Sequence, residues 1–229
     1  MTSVLLMRFA GPLQSWGVES RFDRRNTERA PTKSAVIGLL ASALGRSRDD
    51  SIDDLRDLKF GVRLDQQGRR MTDFHIAQGR KSSYVTYRDY LSDAIFLVGV
   101  EGPEELIQKL VIAVQSPYYP LFLGRRSCPP EGKVVLGIRQ NKSLLEALSE
   151  EPWLGSIKQV KRPDNLRLII EAKGNESNVG WLKDEPISFS KEHRQYEYRP
   201  YAERMIAFPL AESTEAQTLH DPLELMGGE

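Results

Sequence analysis

Pro31-Thr32-Lys33-Ser34-Ala35-Val36-Ile37-Gly38-Leu39-Leu40-Ala41-Ser42-Ala43-Leu44-Gly45 is the stretch from which the architecture of this chain can be read. Val36, Leu39, Leu40, Ala43 and Leu44 recur at the helical period and share one face. Thr32 or Ser34 can cap the start and Gly45 the end, which predicts a helix from Thr32 or Lys33 to Leu44. Upstream, Ser3 to Ala10 is rich in Val, Leu, Met and Phe and closes on Gly11 and Pro12, as a buried strand does. Downstream, Phe60, Val62 and Leu64 alternate in a second strand, and Ala94 to Val100 forms a third. Asp65 to Asp93, polar and carrying three tyrosines, predicts a protruding hairpin rather than a structureless loop of that length. A second helix starts at Pro103, carries Glu104 and Glu105 in its first turn, and sets Leu106, Leu110, Val111 and Val114 on one face before Pro117 stops it. Lys133 to Ile138 is the fourth strand.

Strand, helix, strand, insertion, strand, helix, strand is the order of a ferredoxin-like or split βαβ unit, in which two helices pack on one face of an antiparallel sheet. The expected class is α+β. Residues 1–140 make this unit, with the insertion at about 65–93, and 141–229 a smaller, mainly β part. In the latter, Leu166 to Ala172, Ile187 to Phe189 and Arg204 to Leu210 look like strands, and the tail after Ala211 lacks periodicity.

At 229 residues and 40% hydrophobic, the chain can bury a sizeable core. Its one cysteine, Cys128, cannot form an internal disulfide, and no Cys/His spacing suits zinc. The apolar run near the start, Val4 to Met7, is too short for a signal core or membrane span. We expect a cytoplasmic protein with no membrane contact, no metal and no cofactor.

The 32 basic and 32 acidic residues sum to zero but are unevenly placed. Met1 to Arg48 holds eight basic residues against three acidic, and Lys59 to Tyr90 seven against three. Acids concentrate between Asp49 and Asp57 and after Glu203. Two basic blocks with acidic spacers are the pattern of a polyanion-binding face, although solvated loops give the same count.

Lys33-Ser34 invites a P-loop reading, but Thr27 and Thr32 stand where that motif needs glycines. What survives is a helix N-terminus with Thr32, Lys33 and Ser34, preceded by Arg21, Arg24 and Arg25, suited to an anion. Gly38, one turn in, could let another backbone come close. Arg125 and Arg126, in a loop opened by Gly124, suit a backbone phosphate. Cys128 is followed by two prolines and has no nearby histidine, so it is a poor nucleophile. His75 lies near Tyr84, Tyr87, Lys81 and Arg88, a set able either to hold RNA or to activate a ribose 2′-hydroxyl without metal. His193 and Arg194 interleave with Tyr196, Tyr198 and Arg199 in a second aromatic and basic run.

Phe9-Ala-Gly-Pro-Leu-Gln-Ser-Trp-Gly17, Ser20-Arg-Phe22, Thr27, Pro31-Thr-Lys-Ser-Ala-Val-Ile-Gly-Leu-Leu-Ala41, Tyr87-Arg-Asp-Tyr-Leu-Ser-Asp-Ala94 and Leu123-Gly-Arg-Arg-Ser-Cys-Pro129 together resemble the CasD family, subunits of the type I-E CRISPR Cascade complex. The likeness is strong to about Ile138 and looser through His193-Arg-Gln-Tyr196 and Arg199. It implies a RAMP fold: an RRM-like palm with the 65–93 insertion as a thumb. It further implies a non-catalytic subunit that caps the 5′ repeat-derived handle of CRISPR RNA, abuts the backbone subunit CasC and the large subunit CasA, and presses its thumb into the path of guide and target DNA, kinking the duplex.

Carried over by residue, the resemblance marks Gln14, Ser15, Trp16, Arg21, Thr32, Lys33, Ser34, Arg125, Arg126 and Ser127 as palm positions near the handle. Arg24, Arg25, His75, Arg88 and Arg194 join them as RNA-binding candidates on their chemistry. Because a similar protein in a related subtype cleaves precursor RNA, the alternative is a metal-independent endoribonuclease using His75, Tyr84 and Lys81.

Overall fold

In a computed structural model, residues 2–17, 24–78, 83–156, 163–172 and 179–207 are described. Arg21, Lys81 and the acidic tail lie outside them. The elements run β1 (Thr2–Ala10), β2 (Leu13–Gln14), β3 (Arg24–Arg25), α1 (Lys33–Ala43), α2 (Asp53–Arg56), β4 (Lys59–Gln66), β5 (Arg69–Gln78), β6 (Ser83–Ser92) and β7 (Ile95–Pro103). After these come α3 (Glu104–Gln115), β8 (Val135–Gln140), α4 (Leu144–Glu150), β9 (Asn165–Glu171), β10 (Val179–Ser188) and β11 (Gln195–Ala207). The molecule is mixed α/β and rich in sheet.

The main sheet has seven strands in the order β10-β11-β9-β4-β7-β1-β8, and all its neighbours are antiparallel. Its β4-β7-β1-β8 half contains the four strands expected from the sequence. Residue 140 marks no break in this sheet, because β9 pairs directly with β4, Gly61 opposite Ile170. The residues after it extend the same layer.

Strand alternation sends successive side chains to opposite faces, and both faces are covered. Leu5, Met7 and Phe9 of β1 with Phe96 and Val98 of β7 meet Val36, Ile37 and Leu40 of α1 and Ile107, Leu110 and Val114 of α3. Val4, Leu6 and Leu97 point the other way, onto Leu144, Ala147 and Leu148 of α4. The expected two-helix face is present; α4 on the reverse face is an addition.

Two glycines seat α4. Gly61 of β4 and Gly99 of β7 stand opposite one another in the ladder. A Cβ on Gly61 would come within 2.8 Å of Leu148, and one on Gly99 within 2.7 Å of Leu144. Side-chain clamps from the sheet hold both ends of the helix. Glu101 accepts from the Leu144 N–H at its start, and the fully buried Arg63 donates to the carbonyls of Leu148, Glu151 and Pro152 at its end. A carboxylate at the N-terminus and a guanidinium at the C-terminus match the helix dipole. Asp65 forms a two-point ion pair with Arg63 at 2.7 and 2.8 Å, so the buried cation is compensated.

The expected hairpin is β5 with β6, in register from Arg69 opposite Ser92 to Gln78 opposite Ser83. β6 also pairs with β2 and, in parallel, with β3, forming a second sheet. Phe74, Ile76, Val85 and Tyr87 share one hairpin face by register, and all four are exposed.

Candidate nucleic-acid interface

The Gly124 loop is built against the segment after β2. Gly124 adopts φ +82°, and a Cβ there would lie 1.7 Å from the Ser15 carbonyl oxygen, so no other residue fits without moving the backbone. The Ser15 N–H donates to the Leu123 carbonyl at 3.1 Å, and the Cys128 N–H closes the turn on the Arg125 carbonyl at 2.8 Å. Cys128 itself is core, and burial pushes its thiol above the usual range despite opposing contributions from Ser127 and Arg125. That environment is the reverse of an activated nucleophile's.

This loop projects Arg125 over the Tyr90 ring, 4.5 Å from its centroid, and donates from Arg125 to the Arg25 carbonyl at 2.9 Å. Arg25 stands beside Arg88 in the β3–β6 pairing, and Arg24 beside Tyr87. The structure therefore brings Arg24, Arg25, Arg88 and Arg125 to the root of the hairpin.

From there a groove of about 1140 Å³ runs along the α1 side of the molecule. Arg25, Arg48, Arg125, Arg126 and Arg194 line it, and Tyr119 and Phe122 add aromatic surface. Five arginines from four chain segments, with exposed rings between them, match the requirements of a single-stranded polyanion with stackable bases. Ser127 is exposed in the same loop as Arg126. Arg48, Tyr119 and Phe122 are not among the residues that the sequence singles out. Their signals are faint: an arginine beside an acidic run, and aromatics in a proline-bounded connection.

Other candidates occupy structural positions. Gln14 is fully buried and donates to the Ala94 carbonyl at 2.6 Å, while Ser15 donates from its hydroxyl to the Asp89 carbonyl at 3.0 Å. Trp16 is 1% exposed and stacks on Phe9 at 5.8 Å between centroids. Thr32 caps α1, accepting from the Ala35 N–H at 3.3 Å. Ser34, partly buried, lies along the open side of the same helix.

Lys33 does not face solvent. Its side chain is 6% exposed and its ammonium meets Glu171 at 2.8 Å and Glu185 at 2.9 Å. The backbone N–H of Lys33 donates to Asp184, which also accepts two hydrogen bonds from Arg199 at 2.9 Å. The α1 N-terminus thus binds an anion, as its dipole favours, but the anion is the protein's own carboxylate.

His75 is on β5, 2.6 Å from the Asp73 carboxylate, and Tyr84 is on the opposite strand. Arg194 lies in the groove, donating to the Tyr196 hydroxyl at 2.6 Å, whereas His75 belongs to the hairpin; the site residues form two clusters.

Fold and groove define a sheet-rich α/β protein with an arginine-lined channel beside a hairpin. The chain belongs to the CRISPR-associated protein (Cas_Cas5) family, whose profile matches residues 4–201. It is 36% identical over 181 residues to the CRISPR system Cascade subunit CasD of Escherichia coli strain K12, covering 69% of this chain and 81% of that one. A chain of a solved structure described as a CRISPR RNA-guided surveillance complex aligns with TM-score 0.77 and 33% identity over 90% of this chain and 91% of its own length. A second solved structure, described as a Cas protein, gives TM-score 0.71 and 39% identity over 89% and 95%. No helix among the described residues is long and apolar enough to cross a membrane.

Proposed function

We propose that this chain is a non-catalytic subunit of an RNA-guided DNA surveillance complex, in which it binds and caps the 5′ repeat-derived handle of CRISPR RNA. In this reading the β4-β7-β1-β8 half-sheet with α1 and α3 is the RAMP palm, and β5–β6 is the thumb. The observation that carries it is the groove in which Arg25, Arg48, Arg125, Arg126 and Arg194 converge beside exposed aromatics. Such a site tracks phosphates while leaving bases free to stack, and sequence specificity is left to guide pairing. Family membership supports the same role, with CasC and CasA as neighbours and target DNA passing the thumb. The apolar hairpin face of Phe74, Ile76, Val85 and Tyr87 has the chemistry to wedge between bases and kink a duplex.

Replacing Arg125 and Arg126 together with alanine tests the groove. A filter-binding titration of handle RNA should show weaker binding and a slope of log affinity against log salt shallower by about 0.7 for each phosphate no longer neutralised. Unchanged affinity and slope would refute the assignment.

The Asp73–His75 contact favours one second reading, metal-independent cleavage of repeat RNA. A carboxylate beside an imidazole orients it as a general base, with Tyr84 and Lys81 as further candidates. That reading requires cleavage in EDTA that vanishes in His75→Ala. RNA left intact by the folded protein removes it.

A further inference from the structure

Beside the arginine groove lies a smaller, more enclosed cavity of about 170 Å³. We propose that it receives one nucleobase splayed out of the bound RNA, so that the strand is read at one position as well as held by its phosphates. This rests on the RNA-binding reading above.

The cavity is lined by a helix face and by aromatic rings. Its floor is the open side of α1, where Ser34, Gly38 and Ser42 succeed one another at four-residue spacing. Its walls include Phe122, Phe189 and Tyr196, the last two edge to face with centroids 6.4 Å apart. Aromatic rings in the lining can stack on a planar heterocycle, and hydroxyls such as those of Ser34 and Ser42 can meet its ring nitrogens and carbonyls. Arg194 is common to the cavity and the larger groove, with its guanidinium 5.4 Å from the Tyr196 ring. A base turned into the cavity would therefore leave its phosphate beside an arginine.

Gly38 is a second, independent sign. A glycine inside a helix weakens it relative to alanine and is retained when something must come close. Here the protein's own packing does not demand it. A Cβ at Gly38 would find Phe189 at 3.6 and 3.8 Å, ordinary contact distances, and the helix φ is unstrained. The missing side chain leaves room on the cavity floor.

The test uses the full chain and single-stranded CRISPR repeat RNA carrying 2-aminopurine at one position at a time, with a matching abasic series. Binding should quench 2-aminopurine severalfold at one position, and an abasic site there should weaken binding about tenfold, as expected when one stacked base is removed. Gly38→Leu should abolish both effects while the salt slope persists, and Gly38→Ala should reduce them. If groove-dependent binding persists while no abasic position costs more than twofold, the cavity proposal is overturned and the handle reading stands. If binding is insensitive to Arg125 and Arg126, both fall. Should Gly38→Leu fold poorly, the abasic series on the unaltered protein decides.

Discussion

Gly124 shows how one residue fixes the interface. Its left-handed backbone and the 1.7 Å approach of a Cβ to the Ser15 carbonyl mean that Gly124→Ala must push the arginine loop off the Gln14–Trp16 segment. We expect a loss of about 2–4 kcal/mol in thermal or denaturant unfolding, together with weakened RNA binding. Such a loop is partly legible in sequence: Gly124 followed by two arginines announces a turn presenting cations. The burial of its support is not. Gln14, Ser15 and Trp16 read as polar or amphipathic groups near a strand end, yet the Gln14 amide nitrogen and the Ser15 hydroxyl donate to backbone carbonyls of neighbouring segments and the Trp16 ring is packed in the core. Lys33 misleads for the same reason, because a cation in sequence carries no mark of the carboxylates that will surround it from 138 and 152 positions further along.

The hairpin is an element whose root is held by one carboxylate. Asp89 on β6 is buried, which by itself raises its pKa, but hydrogen bonds from Thr72 and Arg70 and the charges of Arg70 and Arg24 outweigh that and leave it below the usual range. A depressed folded-state pKa stabilises the protein above the unfolded value near 3.8 and is lost as pH falls through the folded one. Asp89→Asn should lower stability by about 1–3 kcal/mol at pH 7, and the deficit should shrink as the reference protein is titrated below pH 4. Amide exchange in β5 and β6 should rise in the variant at pH 7. Helix α4 escapes the sequence patterns although Ser143-Leu-Leu-Glu146 is a complete capping box. Its seven residues make a short apolar pattern, and the paired glycines that receive it are far away in sequence. Of strand β10 the sequence shows only the end, at Ile187 to Phe189, for a different reason. Lys183, Asp184 and Glu185 break the apolar alternation, and two of them face inward to Lys33 and Arg199.

Across the whole molecule, that charge cluster joins the first helix to the last strands. Asp184 bridges the α1 N-terminus and Arg199, and neither side chain is more than 5% exposed. Removing it in Asp184→Ala strands a buried guanidinium, and we expect a loss of about 3–5 kcal/mol with a single, undivided unfolding transition. Two transitions would show that the C-terminal strands melt apart from the rest. The sequence order of strands and helices is enough to foresee the four strands around β1 and β7, because local periodicity encodes them. The seven-stranded extent of the sheet is not foreseeable, since the pairing of β9 with β4 spans about a hundred residues. This buried cluster also bears on synthesis. A chain leaving the ribosome presents β1 and α1 first, while among the described residues the carboxylates that meet the Lys33 ammonium, Glu171 and Glu185, emerge much later. We therefore expect strands β9 and β10 to act as a latch on the first half, so that ribosome-stalled chains ending before Glu171 are cut faster by protease than chains that include β11.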